Sequence, residues 1–308
     1  MVLVLIAITC LLGISPTLLL ASSATNYRPV AKPGCEAKCG SVTIPFPFGI
    51  GSNCSIDKWF EIECVNNSRP YLKDGKIEVL NINLTSNQYI QVRNPISFHN
   101  CANKTATKAV NFTGTPFYIS SDNIFVAVSC DVLAKLHSNS GRIFSESWCA
   151  STCSSGDNVD ADKISTSGYR TSCNGIDCCE VTSTRSIMDA IDISFDNRTS
   201  TSTAHDNDPC KFAFIVDREY WYEYKNHSTS FTRIRNMDSV PLTLQWLLNY
   251  SDYDIFNTDM SKSKTINCYN PNSFSSGDST YRKGPPLRCS CMGFRGNPYL
   301  IDGCVEGT

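Results

Sequence analysis

Cys35-Glu36-Ala37-Lys38-Cys39-Gly40, then Ile44-Pro45-Phe46-Pro47-Phe48-Gly49-Ile50-Gly51, Cys54 and Phe60-Glu61-Ile62-Glu63-Cys64 form the stretch that decides the fold. Four cysteines in so short a run, a double Pro-Phe step and two closely placed glycines specify a small module stapled by disulfides. No catalytic pattern needs that combination. Phe60, Ile62 and Cys64 alternate with Glu61 and Glu63 at strand period, which predicts both carboxylates on the wet face. Lys73-Asp74-Gly75-Lys76 reads as a hairpin turn, with Asp-Gly expected to take the positive φ. Beyond it Ile77 and Val79, then Ile82 and Leu84, are expected inward. The change of phase near Leu80 predicts a bulge and leaves Asn83 outward.

The rest of the chain points to an oxidising compartment. Val2 to Leu20 is mostly aliphatic and runs into Ala21-Ser22-Ser23-Ala24, which predicts a cleaved signal peptide over 1–24. No Lys or Arg precedes Arg28, a departure from the usual charged start; Pro16 argues against a membrane anchor. Of 17 cysteines only Cys10 lies in that leader. The others are Cys35, Cys39, Cys54, Cys64, Cys101, Cys130, Cys149, Cys153, Cys173, Cys178, Cys179, Cys210, Cys268, Cys289, Cys291 and Cys304, an even set expected to form disulfides. Glycan acceptors are expected at Asn66, Asn83, Asn103, Asn111, Asn197, Asn226 and Asn249. Asn53 is set aside because Cys54 stands inside its motif.

Several function classes fall away. A net charge of −2 excludes the basic balance of a nucleic-acid binder. There is no Cys-x-x-Cys, and the four histidines form no His-Glu-x-x-His, so neither a zinc ribbon nor a zinc enzyme is expected. No cofactor is expected. The carboxylate pairs Glu61/Glu63 and Asp217/Glu219 share a strand face and read as solvated rather than as a hydrolase dyad. No Gly-x-Ser-x-Gly elbow is present, and no Gly-rich phosphate loop, His-Arg-Asp or Asp-Phe-Gly marks a kinase. Charge is uneven: residues 28–98 hold eight Lys and Arg against six Asp and Glu, so this part is cationic while the remainder is anionic.

Strand signals recur through the second half, at Ile124/Val126/Val128, Phe212/Phe214/Val216 and Leu242/Leu244/Trp246. A helix is expected around Ser129–Leu136, and Tyr220-Trp221-Tyr222-Glu223-Tyr224 reads as an aromatic core strand. Asp157-Asn158-Val159-Asp160-Ala161-Asp162 lacks the Gly and distal Glu of a calcium loop and is taken as a solvated loop. The fold class is mainly β: small disulfide-rich β modules in tandem.

The opening block resembles the galacturonan-binding module of plant wall-associated receptor kinases. Cys149-Ala150-Ser151-Thr152-Cys153, the cluster Cys173-Asn174-Gly175-Ile176-Asp177-Cys178-Cys179 and Val240-Pro241-Leu242-Thr243-Leu244-Gln245-Trp246 are similar to the middle of the same ectodomains. Cys289-Ser290-Cys291-Met292-Gly293-Phe294-Arg295-Gly296-Asn297-Pro298-Tyr299-Leu300 with Gly303-Cys304 resembles the end of an EGF-like repeat. The resemblance implies a galacturonan-binding-like domain over 25–99, a second cysteine-rich β domain over 100–284 and a partial EGF-like segment over 285–308.

It also implies a non-enzymatic ectodomain in the cell wall that binds pectin (homogalacturonan). A polyanion needs exposed cations beside flat apolar faces, which singles out Lys58, Arg69, Lys73, Lys76 and Arg93 with Trp59 and Tyr71 as platforms. The alternative is an ectodomain, or a secreted decoy, that binds secreted peptides or other receptors without pectin affinity. A membrane association is expected only where a longer gene product carries a span.

Overall fold

A computed structural model describes residues 30–85, 87–104, 110–129, 131–139, 144–152, 173–182, 188–196, 210–227, 231–249, 265–269, 286–300 and 303–306. The expected leader, the acidic segment 157–162, Asn197, Cys130 and Cys153 lie outside these residues.

Strands dominate. The order begins with β1 (Lys38–Cys39), β2 (Val42–Thr43), β3 (Gly49–Ile50), a 3-10 turn at Lys58–Phe60, β4 (Glu61–Val65), β5 (Arg69–Leu72), β6 (Ile77–Asn83) and β7 (Tyr89–Pro95). It continues with β8 (Ser97–His99), β9 (Phe117–Ile119), β10 (Asn123–Val128), β11 (Leu133–Asn139), β12 (Phe144–Ala150), β13 (Asn174–Ile176), β14 (Cys178–Thr182), β15 (Ala190–Phe195) and β16 (Lys211–Asp217). Helices α1 (Arg218–His227) and α2 (Thr232–Arg235) follow. The chain closes with β17 (Ser239–Trp246), β18 (Leu248–Asn249), β19 (Ile266–Tyr269), β20 (Pro286–Cys291), β21 (Phe294–Gly296) and β22 (Cys304–Glu306).

Two sheets carry most of the fold. The larger has seven strands in the order β3-β4-β5-β6-β7-β17-β9, antiparallel except for β3 against β4. The second is β13-β14-β10-β16-β8, and β12-β11-β15 forms a smaller sheet beside it. The larger sheet runs across the expected boundary at residue 99, because β17 and β9 extend it past β7. β10 is buried at every residue and β16 at all but its first, so both read as continuous apolar runs rather than alternations.

The Pro-Phe-Pro-Phe step explains the join. Phe46 and Phe48 turn into a core shared with Phe60, Phe117 and Trp246. Phe48 lies 5.0 Å from Phe60 and 5.1 Å from Trp246, both edge to face, the favoured geometry for buried rings. A buried polar seam links the two sheets. Asn94 Nδ2 donates to the Ile215 carbonyl at 2.7 Å, and Thr243 Oγ1 donates to Asp217 Oδ2 at 2.6 Å. Asn123 and Thr243 exchange bonds of 2.7 and 2.9 Å. Satisfied buried amides of this kind fix register as well as stability.

Seven disulfides join described cysteines: Cys35–Cys54, Cys39–Cys64, Cys101–Cys210, Cys149–Cys179, Cys173–Cys178, Cys268–Cys289 and Cys291–Cys304. The Cys-x-Cys of β20 thus begins two bridges, one across to β19 and one on to β22.

Some expectations hold in detail and others are corrected. The β5–β6 hairpin turns at residues 73–76, and the register of β6 against β7 shifts between Val79 and Asn81, at the expected bulge. The positive φ of the turn falls on Lys76 (48°), however, not on Gly75. Glu61 is buried rather than wet, because Lys73 folds over it. Residues 133–139 are strand, not helix, since β12 and β15 pair with them on both sides. The aromatic run at 220–224 is helical: Trp221 and Tyr224, three apart, are buried on one side while Tyr222 is exposed.

Candidate functional site

The seven residues expected to hold ligand lie in the 3-10 turn that leads into β4, on β5 and β7, and in the β5–β6 turn. Asp57 starts the 3-10 turn, its Oδ1 accepting from the backbone N–H of Trp59 at 2.7 Å and of Phe60 at 3.3 Å. That cap sends Phe60 into the core and leaves Lys58 exposed, with its ammonium 4.3 Å from the centre of the Trp59 ring. Trp59 is half-buried and packs against the core, so it presents part of a ring rather than a whole platform. Lys58 Nζ also lies 3.8 Å from Asp74 Oδ2 in the β5–β6 turn.

The register of the hairpin builds the centre of the face. Tyr71 stands opposite Glu63 on β4 and Glu78 on β6. Arg69, two residues earlier on the same side of β5, reaches diagonally to Glu78. Its Nε and one terminal amino group donate to the two Glu78 oxygens at 3.2 and 2.9 Å. Arg93 on β7 approaches from the other side, its Nε 2.6 Å from Glu78 Oε2. The Arg69 guanidinium is also 5.5 Å from the Tyr71 ring centre. Two guanidiniums thus converge on one carboxylate beside an aromatic ring.

The charges follow that geometry. Hydrogen bonding from Arg69 holds the Glu78 carboxyl below its ordinary value; partial burial opposes this, and Arg93 adds to the lowering. The same bond raises Arg69, and the bond from Lys73 Nζ to Glu61 at 2.8 Å raises Lys73. Both cations are charged at neutral and mildly acidic pH, where a galacturonate is ionised.

The structure therefore brings Arg69, Tyr71 and Arg93 together at the centre of the face, and Lys58, Trp59, Lys73 and Lys76 at its hairpin end. It also adds what the residue count did not show, acidic partners: Glu78 for the two arginines, Glu61 for Lys73 and Asp74 for Lys58. Lys76 is exposed and has no ion pair among the described residues. Arg93 engages Glu78 through Nε, which leaves terminal N–H donors of its fork for a second acceptor.

This face coincides with a family match. Residues 35–94 match the family model described as wall-associated receptor kinase galacturonan-binding, and residues 170–255 match wall-associated kinase. Wall-associated receptor kinase-like 10 of Arabidopsis thaliana is 30% identical over 325 residues, covering 89% of this chain and 40% of that protein. The chain is a relative of the wall-associated receptor kinases. Wall-associated receptor kinase-like 17 and wall-associated receptor kinase 1 of the same plant are each 29% identical, over 89% and 88% of this chain and 38% and 34% of theirs. The chain thus spans about two fifths of the length of the curated relatives it matches. No solved structure matches it.

The first matched segment of this wall-associated-kinase relative runs from the first cysteine bridge to the residue after Arg93, and so contains all seven candidates. Neither matched segment is a kinase domain. Among the described residues no three His, Cys, Asp or Glu side chains converge as a metal site, and no helix is long and apolar enough to cross a membrane. A cleft of about 290 Å³ lies elsewhere, between Thr43, Pro45, Asn83 and Leu84 on one side and Gly296 and Asn297 on the other. None of the seven candidates lines it, and its walls carry no charge suited to a polyanion. Of the expected glycan acceptors, Asn66, Asn103, Asn111 and Asn226 are exposed. Asn83 is half-buried, its Oδ1 accepting from the Thr85 N–H and hydroxyl at 2.7 Å each.

Proposed function

We propose that this chain is an extracellular, non-catalytic receptor ectodomain that attaches to acidic stretches of cell-wall galacturonan through the outer face of β4–β7. The observation that carries the reading is the convergence of Arg69 and Arg93 on Glu78 beside Tyr71. The protein's own carboxylate occupies the position that a galacturonate would share or take. Planar guanidiniums suit carboxylates because two N–H groups can meet two oxygens. Tyr71 offers an apolar face to a sugar ring, and Lys58, Lys73 and Lys76 extend the cationic strip toward the hairpin end. The galacturonan-binding family match over the same residues supports the reading.

The test is binding of the oxidised chain to de-esterified and to methyl-esterified galacturonan at low and high salt. De-esterified polymer is expected to bind more tightly, and to weaken as exposed charges are screened over about 10 Å at 0.1 M salt. Arg93→Ala should weaken that binding. Glu78→Gln should strengthen it, because it frees two cations and removes a like charge. Equal, salt-insensitive binding to both polymers, indifferent to both substitutions, would overturn the proposal.

A further inference from the structure

The sheet β12-β11-β15 carries a second surface that neither the matched galacturonan segment nor the seven candidates include. On its inner side Ala134, Leu136, Cys149 and Ile191 are buried. On its outer side the register sets Trp148 against Lys135, Lys135 against Ser194, and His137 between Glu146 and Asp192. Trp148 is 56% exposed, the ring of a large side chain left open on a strand whose other face is core. It is not a loose ring. The Lys135 ammonium lies 4.8 Å from its centre and is fixed there by Asp196 at 2.7 Å, with only 20% of the Lys135 side chain exposed. His137 lies 2.9 Å from the Ser194 hydroxyl through Nε2 and 3.7 Å from Glu146 through Nδ1, which orders the row beside it.

We infer that this surface binds an uncharged sugar chain, and specifically a methyl-esterified stretch of the galacturonan proposed for the β4–β7 face. The choice of polymer rests on that reading; the site itself rests on its own geometry. Glu146, Asp192 and Asp196 outnumber Lys135, so the surface repels a polyanion. Carboxylates accept hydrogen bonds from sugar hydroxyls, and an indole face supports the C–H face of a pyranose ring. A basic peptide is the poorer fit, because Lys135 already supplies the cation against Trp148. Esterification masks the uronate charge and leaves hydroxyls and ring faces intact, so charge sorts the two kinds of stretch to the two surfaces.

The test uses the full oxidised chain and its Trp148→Ala and Trp148→Phe forms, with fully methyl-esterified galacturonan at 1 M salt, where exposed charges are screened within about 3 Å. A neutral glucan and a lysine-rich peptide serve as comparison ligands, and thermal unfolding confirms that each variant folds. Trp148→Ala is expected to weaken binding of the esterified polymer about tenfold, equivalent to about 1.4 kcal/mol. Trp148→Phe should keep most of it, and binding of de-esterified polymer at low salt should be unchanged in both. Indifference to Trp148→Ala, failure of the native chain to bind esterified polymer, equal binding of the glucan, or Trp148-dependent capture of the peptide would each overturn the inference. Loss of the Arg93 and salt dependence on de-esterified polymer would sink the β4–β7 proposal instead, so the two failures are told apart.

Discussion

Asn297 Nδ2 donates to the Phe46 carbonyl at 2.7 Å, across 251 residues of chain. The same amide donates to the Val30 carbonyl at 2.9 Å, and its Oδ1 accepts from the Tyr299 N–H at 2.9 Å. Tyr299 in turn donates to Gln88 Oε1 at 2.6 Å, while Gln88 Nε2 donates to the Cys289 carbonyl. The C-terminal cysteine-rich segment is therefore latched to the opening module, through groups that are themselves buried.

Replacing Asn297 by Ala takes the side-chain donor from the buried Phe46 carbonyl, while the Val30 carbonyl keeps the Phe46 N–H at 3.0 Å. Stability should fall by about 1–3 kcal/mol, the usual cost of stranding such a group. Asn297→Asp should be no better, since an aspartate cannot donate to either carbonyl. Thermal unfolding of the oxidised chain measures both; an unchanged Tm in either variant would show that the latch is not holding.

Trp246 packs edge to face on Phe48 and at 6.5 Å from Phe60, fully buried, and it comes from the strand that extends the first sheet. Trp246→Ala should cost about 3–5 kcal/mol from the lost ring and the cavity left behind. Trp246→Phe should cost much less, because its indole N–H has no acceptor among the described residues and a phenyl ring keeps the contact with Phe48. Chemical denaturation of the two variants checks the order.

Glu78 gives the fold a dependence on acid. Its folded value lies below the ordinary 4.5, chiefly through hydrogen bonding from Arg69, so the ionised form favours the folded state. That contribution is complete above about pH 4.5 and is lost as pH falls through the lower folded value. Glu78→Gln cannot lose it. The native chain should therefore shed stability faster than Glu78→Gln on acidification below pH 4.5, measured as Tm against pH; parallel curves would show that the two arginine contacts do not act in the folded state.

Much of the larger sheet was legible locally. Alternation at Ile77–Leu84 locates both a strand and its bulge, because a two-residue period that slips by one has one structural remedy. The hairpin at 73–76 was legible from its Asp74-Gly75 pair, although the positive φ falls on Lys76. Given that hairpin, Arg69 and Glu78 could have been placed on one face by register, and the pairing that neutralises part of the cationic strip was available from it. Counting cations without their cross-strand neighbours missed it.

Other features were beyond local pattern. The segment 133–139 is strand because β12 and β15 flank it, an outcome decided by partners rather than by propensity. The run at 220–224 shows the opposite failure: dense aromatics suggested strand, yet Trp221 and Tyr224 at helical spacing were the better signal. The meeting of β7 with β17 joins residues about 150 positions apart, and no short window of sequence contains it.

That meeting has a consequence for how such a module can be moved between proteins. Excised at residue 99, the opening segment would carry β7 as a bare sheet margin and would open Phe48 and Phe60 to water where Trp246 and Phe117 had covered them. Grafting it alone onto another receptor invites edge-to-edge association of the grafts. A transplant that keeps its shape must bring β9 and β17 along, so the portable unit is larger than the stretch of sequence that announces it.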